Sequence, residues 1–440
     1  MIVRLHVEHL LQENRQIEST VDIIERMKYR RSFIATLSLS AFAGCLSSND
    51  DNGGTPTDTG GTPTDVTETA TDADDGTETE TEDGDDEAEP EILSEDITTD
   101  RTLSGETVYR VTDTLRVEAA LTIEPGATLI FEEDTGLEIY GHEDGSIIAD
   151  GTASEEIVFT ASQETPGWWN GIFVWSEARN NRLNHVVVEY GGRNNEANIH
   201  LDSSTYLPLT NSTVTNSDGY GLYIDENVTM PDVDSNEYTE NERGAVRVTA
   251  NNLHYLDSES SYTGNTADVV VVEAETVSVE DDNVDSGAVT WHNLGVPYRV
   301  NGQIRVEDIE VTVDPGAVFR FEEGTSIQMA PDSALIAEGT PEEEIVFTAT
   351  DDVPGWWDGI VMSFSESRKN ILKHAIVEYG GRDTSGNVHV ESGRIKVVDS
   401  TLRHSEALGL WSSDDGTVND DVCAVNEYQD NAEGDCTIET

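Results

Sequence analysis

Two tryptophan pairs carry the clearest chemistry in this chain: Trp168-Trp169 followed by Asn170, and Trp356-Trp357 followed by Asp358. An indole face stacks on the apolar face of a pyranose while a neighbouring amide or carboxylate takes its hydroxyls, so both triplets hold the parts of a sugar platform. Core packing competes with that role. In a pleat, adjacent side chains point to opposite faces, so one Trp of each pair enters the interior and the other stays free. The neighbours Gly167 and Gly171 suggest Trp169 and Trp357 as the strand residues, and changing either to Ala is then expected to weaken retention on a polysaccharide. Arg193 and Arg382 follow Gly-Gly turns, where a loop guanidinium meets a sugar acid or neutralises a neighbouring Glu.

Other candidates are thinner. His185 with Glu189 and His374 with Glu378 share one spacing, but i and i+4 on a strand lie about 13 Å apart, too far for one metal ion. A hydrogen-bonded His at a coil corner fits better. Asp281-Asp-Asn283 and Asp414-Asp415 are acid-rich enough for Ca2+, the one candidate cofactor, yet no spacing selects a ligand set. There is no nucleophile elbow, Cys/His pair or phosphate loop, so catalytic and metal residues stay unassigned. Asn211-Ser-Thr213 and Asn227-Val-Thr229 are acceptor sequons for N-glycosylation.

The elements that hold these residues come from a duplication. Ile157-Val-Phe-Thr-Ala161 returns as Ile345-Val-Phe-Thr-Ala349, 188 positions later (345 − 157), and His185-Val-Val-Val-Glu-Tyr-Gly-Gly-Arg193 returns as His374-Ala-Ile-Val-Glu-Tyr-Gly-Gly-Arg382. Residues kept in both copies serve architecture first. An active site would lie among the unshared ones, and two copies of one binding patch would add avidity on a repeating polymer.

From Ile92 onward the runs are short, β-branched and alternating, as in Thr128-Leu-Ile-Phe131 and Leu137-Glu-Ile-Tyr140, with Gly, Pro, Asp or Asn between them. The spacing predicts an all-β solenoid with rungs of about 20 to 25 residues. Leu209-Thr-Asn-Ser-Thr-Val214 and Val397-Val-Asp-Ser-Thr-Leu402 place Asn211 and Asp399 between apolar positions, as an inward amide ladder would require. Near the C-terminus Cys423 and Cys436 are close enough for a disulfide that pins the last coil.

Charge narrows the partners. With 89 Asp+Glu against 24 Lys+Arg the net is -65, which repels nucleic acid and anionic membrane. Pervasive acid resembles the haloarchaeal proteome style, where it keeps proteins soluble in concentrated salt. Met27 reads as a second start, opening a basic region with Arg30-Arg31, a short apolar run and Gly44-Cys45. This resembles a twin-arginine lipoprotein signal, which implies export and lipid on Cys45. The apolar run is too short to span a bilayer. Residues 1–45 are therefore the extension and signal, 46–95 an acidic Thr-rich disordered linker, 96–290 the first repeat and 291–440 the second.

The Ile-Val-Phe-Thr-Ala, Pro-Gly-Trp-Trp-Asn/Asp-Gly-Ile and Val-Glu-Tyr-Gly-Gly motifs resemble right-handed parallel β-helix repeat proteins, the pectin-lyase-like superfold. That resemblance implies fold more than activity, since the superfold hosts lyases, hydrolases, adhesins and scaffolds. The expectation is a lipid-anchored surface protein on the outer face of the membrane, acting as a binding or scaffold module for a polysaccharide or surface glycan. The alternative is an extracellular polysaccharide lyase or glycoside hydrolase.

Overall fold

Alternating short runs with turn residues between them leave each strand one apolar face to bury and two edges to pair, and a coil that stacks on itself satisfies both. The computed structural model describes residues 89–141, 144–278 and 287–439. The expected signal segment with Cys45, the expected linker up to residue 88 and Asp281-Asp-Asn283 lie outside the described residues. The rest is a parallel β-solenoid of about 12 turns.

Strands follow one another around three faces. Ile157–Ala161 lies on face I, Ile172–Trp175 on face II and Arg182–Asn184 on face III, and Val186–Glu189 returns to face I in parallel register with Ile157–Ala161. Face II is one uninterrupted 13-stranded sheet. Faces I and III are each built from two successive sheets, and the Ala250–Tyr255 3-10 helix stands in for a face III strand between them. Rung length varies more than the sequence suggests: Leu115 pairs with Leu137 (137 − 115 = 22), but Leu137 pairs with Ile172 (172 − 137 = 35). The longer rung contains the bend that carries Trp168 and Trp169.

Alternation along each strand puts every second residue inside, as in the buried-intermediate pattern of Ile157–Ala161. Parallel register then stacks like on like. Tyr298, Phe319 and Phe347 form an internal column with ring centroids 4.7 and 5.5 Å apart, and each such fully buried side chain contributes roughly 1.5–3 kcal/mol of transfer free energy.

The corners explain residues that looked functional. His185, Asn211 and Ser235 recur at the turn from face III to face I with φ of 48°, 51° and 55°, and His374 and Asp399 repeat the same turn in the second copy, there from face I to face II, at 45° and 50°. A single left-handed residue reverses the chain there, a role for which Asn, Asp and His are enriched. His185 therefore precedes its strand rather than belonging to it. Asn211 is exposed, so the inward amides are other residues. Asn236 Oδ1 accepts from Ser212 N (3.0 Å), Asn241 Oδ1 from Ser217 N (3.1 Å), and Asn265 Oδ1 from Asn241 N (3.0 Å). The ladder exists, one turn residue away from where alternation put it.

Candidate functional site

The Trp pairs sit in bends before strands, where strand alternation does not decide direction. Trp169 and Trp357 are fully buried. Trp169 stacks on Phe131 at 3.9 Å and 13°, and its Nε1 donates to the Glu189 carbonyl at 2.8 Å; Trp357 stacks on Phe321 at 4.0 Å and 6° and donates to the Glu378 carbonyl at 2.8 Å. Neither can touch a ligand, so the expected outward pair is the inward one. Trp168 and Trp356 are the half-buried partners, each anchored through Nε1 at 3.0 Å, to Ser162 Oγ and Thr350 Oγ1.

The shared Gly-Gly motif is part of the same construction. A Cβ on Gly191 or Gly380 would lie 2.8 Å from the Oδ1 of Asn198 or Asn387, and those buried amides each accept from the same glycine N at 2.7 Å. The following arginines are held by acid: Arg193 by Glu133 (3.2 Å) and Asp134 (2.7 Å), Arg382 by Glu323 (2.7 Å). They neutralise neighbours. Asn170 is likewise engaged, donating to the Asp134 carbonyl at 3.0 Å and accepting from Asn194 at 2.6 Å. Asp358 departs from this. Burial, with Asp383 beside it, pushes its carboxyl above the usual range, and its Oδ1 has no hydrogen-bond partner among the described residues.

The two copies are out of phase around the solenoid. Ile157–Ala161 lies on face I, but its duplicate Ile345–Ala349 lies on face II; Ile172–Trp175 lies on face II, and its duplicate strand Gly359–Ser363 lies on face III. The repeat unit does not close on a whole number of turns. Trp168 therefore marks the edge between faces I and II, and Trp356 the edge between II and III. The two patches do not share an edge, so the avidity expected along one polymer strand has no straight groove to act through.

Register brings together residues that the sequence keeps apart. On the outside of face II, Phe173 pairs with His200, His200 with Tyr223, and Tyr223 with Arg247. His200 stacks on Tyr223 at 4.4 Å, Arg247 caps that ring at 4.6 Å, and Phe173 meets His200 edge-on at 5.3 Å. Beside Phe173, half-buried Tyr140 and Trp175 meet at 5.9 Å, with Arg116 over Tyr140 at 4.8 Å. From Arg116 to Arg247 the row crosses six strands, about 24 Å at the usual strand spacing. Each ring occupies an outward alternate position, a signal visible in Leu137-Glu-Ile-Tyr140 and Ile172-Phe-Val-Trp175 once rung pairing is known.

Residues 95–210 match the family described as the pectate-lyase like beta helix domain. The matched residues take in the first Trp corner and four rings of the row, Tyr140, Phe173, Trp175 and His200. No curated protein and no solved structure matches the chain.

Past the aromatic row, the β-helix domain carries two adjoining polar cavities of about 460 and 620 Å³ that share Arg179, Asn180 and Tyr206. Their floor is already satisfied. Asn184 donates to Asp150 (2.8 Å) and accepts from Thr210 and Asn211 (both 3.0 Å), and the first of these bonds, with Arg182 alongside, holds the Asp150 carboxyl below its usual range. Both sequon asparagines are exposed, Asn227 lining the smaller cavity and Asn211 bonded into the floor of the larger. Among the described residues no group of three or more His, Cys, Asp or Glu could hold a metal ion. Cys423 and Cys436 are joined, with sulfurs 1.99 Å apart.

Proposed function

We propose that this protein is a surface-displayed glycan-binding β-helix that takes a neutral polysaccharide strand across the outward rings Tyr140, Phe173 and Trp175. The observation that carries this reading is the aromatic row itself. The row is long, and its rings are braced edge-on against one another and by the His200–Tyr223–Arg247 stack behind them, so little side-chain freedom is lost when a ligand arrives. A lane of this length along the outside of a sheet suits an extended polymer better than a small molecule, which prefers a concave site.

Charge favours a neutral ligand. A chain of net charge -65 repels polyanions, and the two arginines that end the row are already paired: Arg116 with Glu138 at 3.8 Å, and Arg247 with Glu273 at 3.0 Å and with Glu196. We take the lipid on Cys45 as the anchor of the module outside the cell, with the Thr-rich linker as its stalk; the linker stops short of the expected residue 95, because Glu91–Leu93 already pairs with Tyr109–Val111 in the coil. Lyase or hydrolase action is the alternative reading, and release of new chain ends in the binding assay would mark it.

The test is affinity electrophoresis of the full chain in gels containing xylan, galactomannan or hydroxyethyl cellulose. Retardation in at least one gel is expected, with no new reducing ends released. Phe173→Ala and Trp175→Ala should each weaken the apparent affinity about five- to tenfold, the scale of one lost ring contact. Unretarded wild type, or variants that run like wild type, would sink the reading.

A further inference from the structure

The second copy carries the relic of the same row on another face. Counting by equivalent strands, His200 and Tyr223 of the first copy correspond to His389 and Trp411 of the second. His389 and Trp411 stack at 4.6 Å, as His200 and Tyr223 do, but they look out from face III because the repeat is out of phase. In strand register the lane runs through Arg305, Gln328, Val361, His389, Trp411 and Thr437, with no carboxylate in the line itself. Acid borders it at Glu307, which pairs with Arg305, and at Glu439, which accepts from Trp411.

The ring that leads the lane is held in place. Trp411 is half-buried, with Nε1 donating to Glu439 at 3.3 Å, and His389 Nδ1 accepts from Ser385 N at 3.0 Å, which fixes the imidazole plane under the indole. A neutral sugar ring is the partner this chemistry fits, for an indole face suits a pyranose and the lane's one cation, Arg305, is already paired with Glu307 at 2.9 Å.

We propose that the chain is a cross-linker, holding one neutral glycan strand on face II at Phe173 and Trp175 and a second, separate strand on face III at Trp411. This rests on the glycan-binding reading above and extends it. Two patches on one face would grip a single strand twice, whereas patches on different faces of a rigid prism cannot share a straight strand and join two instead. The phase shift of the duplication is thereby given a use.

The experiment mixes the full chain with xylan, galactomannan or hydroxyethyl cellulose and follows light scattering, with calorimetric stoichiometry on xylohexaose, mannohexaose and cellohexaose. Wild type is expected to network the polymer that retards it and to bind two hexasaccharides per chain. Trp411→Ala should lose the networking, bind one hexasaccharide and still be retarded in the gel; Trp411→Phe, which keeps an aromatic face, should restore both. The Phe173→Ala/Trp175→Ala double variant should also bind one. If wild type binds a single hexasaccharide, or Trp411→Ala scatters like wild type, the cross-linking proposal is overturned while the face II reading stands. If nothing is retarded at all, both fall.

Discussion

The two copies of the repeat agree inside and differ outside. Trp169 on Phe131 and Trp357 on Phe321 are nearly superposable arrangements, down to the indole N–H on the carbonyls of Glu189 and Glu378. On the outer surface, Phe173 and Trp175 of the first copy have become Val361 and Ser363 in the second. Duplication preserved what closes the coil and released what faces solvent. Shared residues therefore report on folding, and unshared outward ones report on function.

The largest effect should come from breaking the shared interior. Trp169→Ala and Trp357→Ala each empty a stacked, hydrogen-bonded core position and should cost about 3–5 kcal/mol of unfolding free energy. Trp168→Ala and Trp356→Ala, which lose partial burial and one hydrogen bond to Ser162 or Thr350, should cost about 1 kcal/mol. Denaturant unfolding of the four variants separates the classes. Equal losses across each Trp pair would mean that inside and outside are not distinguished as described.

An intermediate effect tests where the copies stop being equivalent. Gly244–Thr249 is paired on both sides, to Tyr220–Ile224 and Val270–Glu273, whereas its counterpart Gly434–Ile438 ends its sheet and pairs only with Leu408–Ser412 among the described residues. The Cys423–Cys436 bond, spanning 13 residues, stands in for the missing neighbour, and closing a loop of that size contributes about 3 kcal/mol in the entropic view. Cys423→Ser/Cys436→Ser should raise amide hydrogen exchange across 427–438 and leave 244–249 unchanged. Uniform loosening of both segments would show instead that the bond stabilises the whole solenoid.

Much of this was legible in the residues. The strands, the duplicated unit, the coil signature and the closeness of Cys423 to Cys436 follow from alternation, turn chemistry and spacing. The inward Trp did not, because Trp168 and Trp169 occupy a bend, where the period-two rule has no force. Neither did the phase shift: rungs vary in length, and a 3-10 helix at Ala250–Tyr255 replaces a strand, so residues can be counted from sequence while faces cannot. The aromatic row was hidden for a related reason. Phe173, His200 and Tyr223 become neighbours only through parallel register, at separations that look unrelated along the chain.

The smallest predicted effect sits where one copy replaced an amide with an acid. Asn170 has partners for both ends of its side chain, in the Asp134 carbonyl and Asn194, whereas Asp358 keeps a buried Oδ1 without one among the described residues. Burial and the nearby Asp383 raise the Asp358 carboxyl above the usual carboxylate range. The folded state therefore holds that proton more tightly than the unfolded chain does, and stability from this group is lost as pH rises through the folded value. Asp358→Asn, which copies Asn170 into the second repeat, removes the ionisation and should raise Tm by about 1–2 °C at pH 7. The advantage should shrink as pH falls, because the raised carboxyl of the native protein takes up its proton at a higher pH than an ordinary carboxylate does. A gain that persists unchanged at pH 4 would assign the effect to hydrogen bonding alone, and no gain at pH 7 would mean that solvent already satisfies the carboxylate.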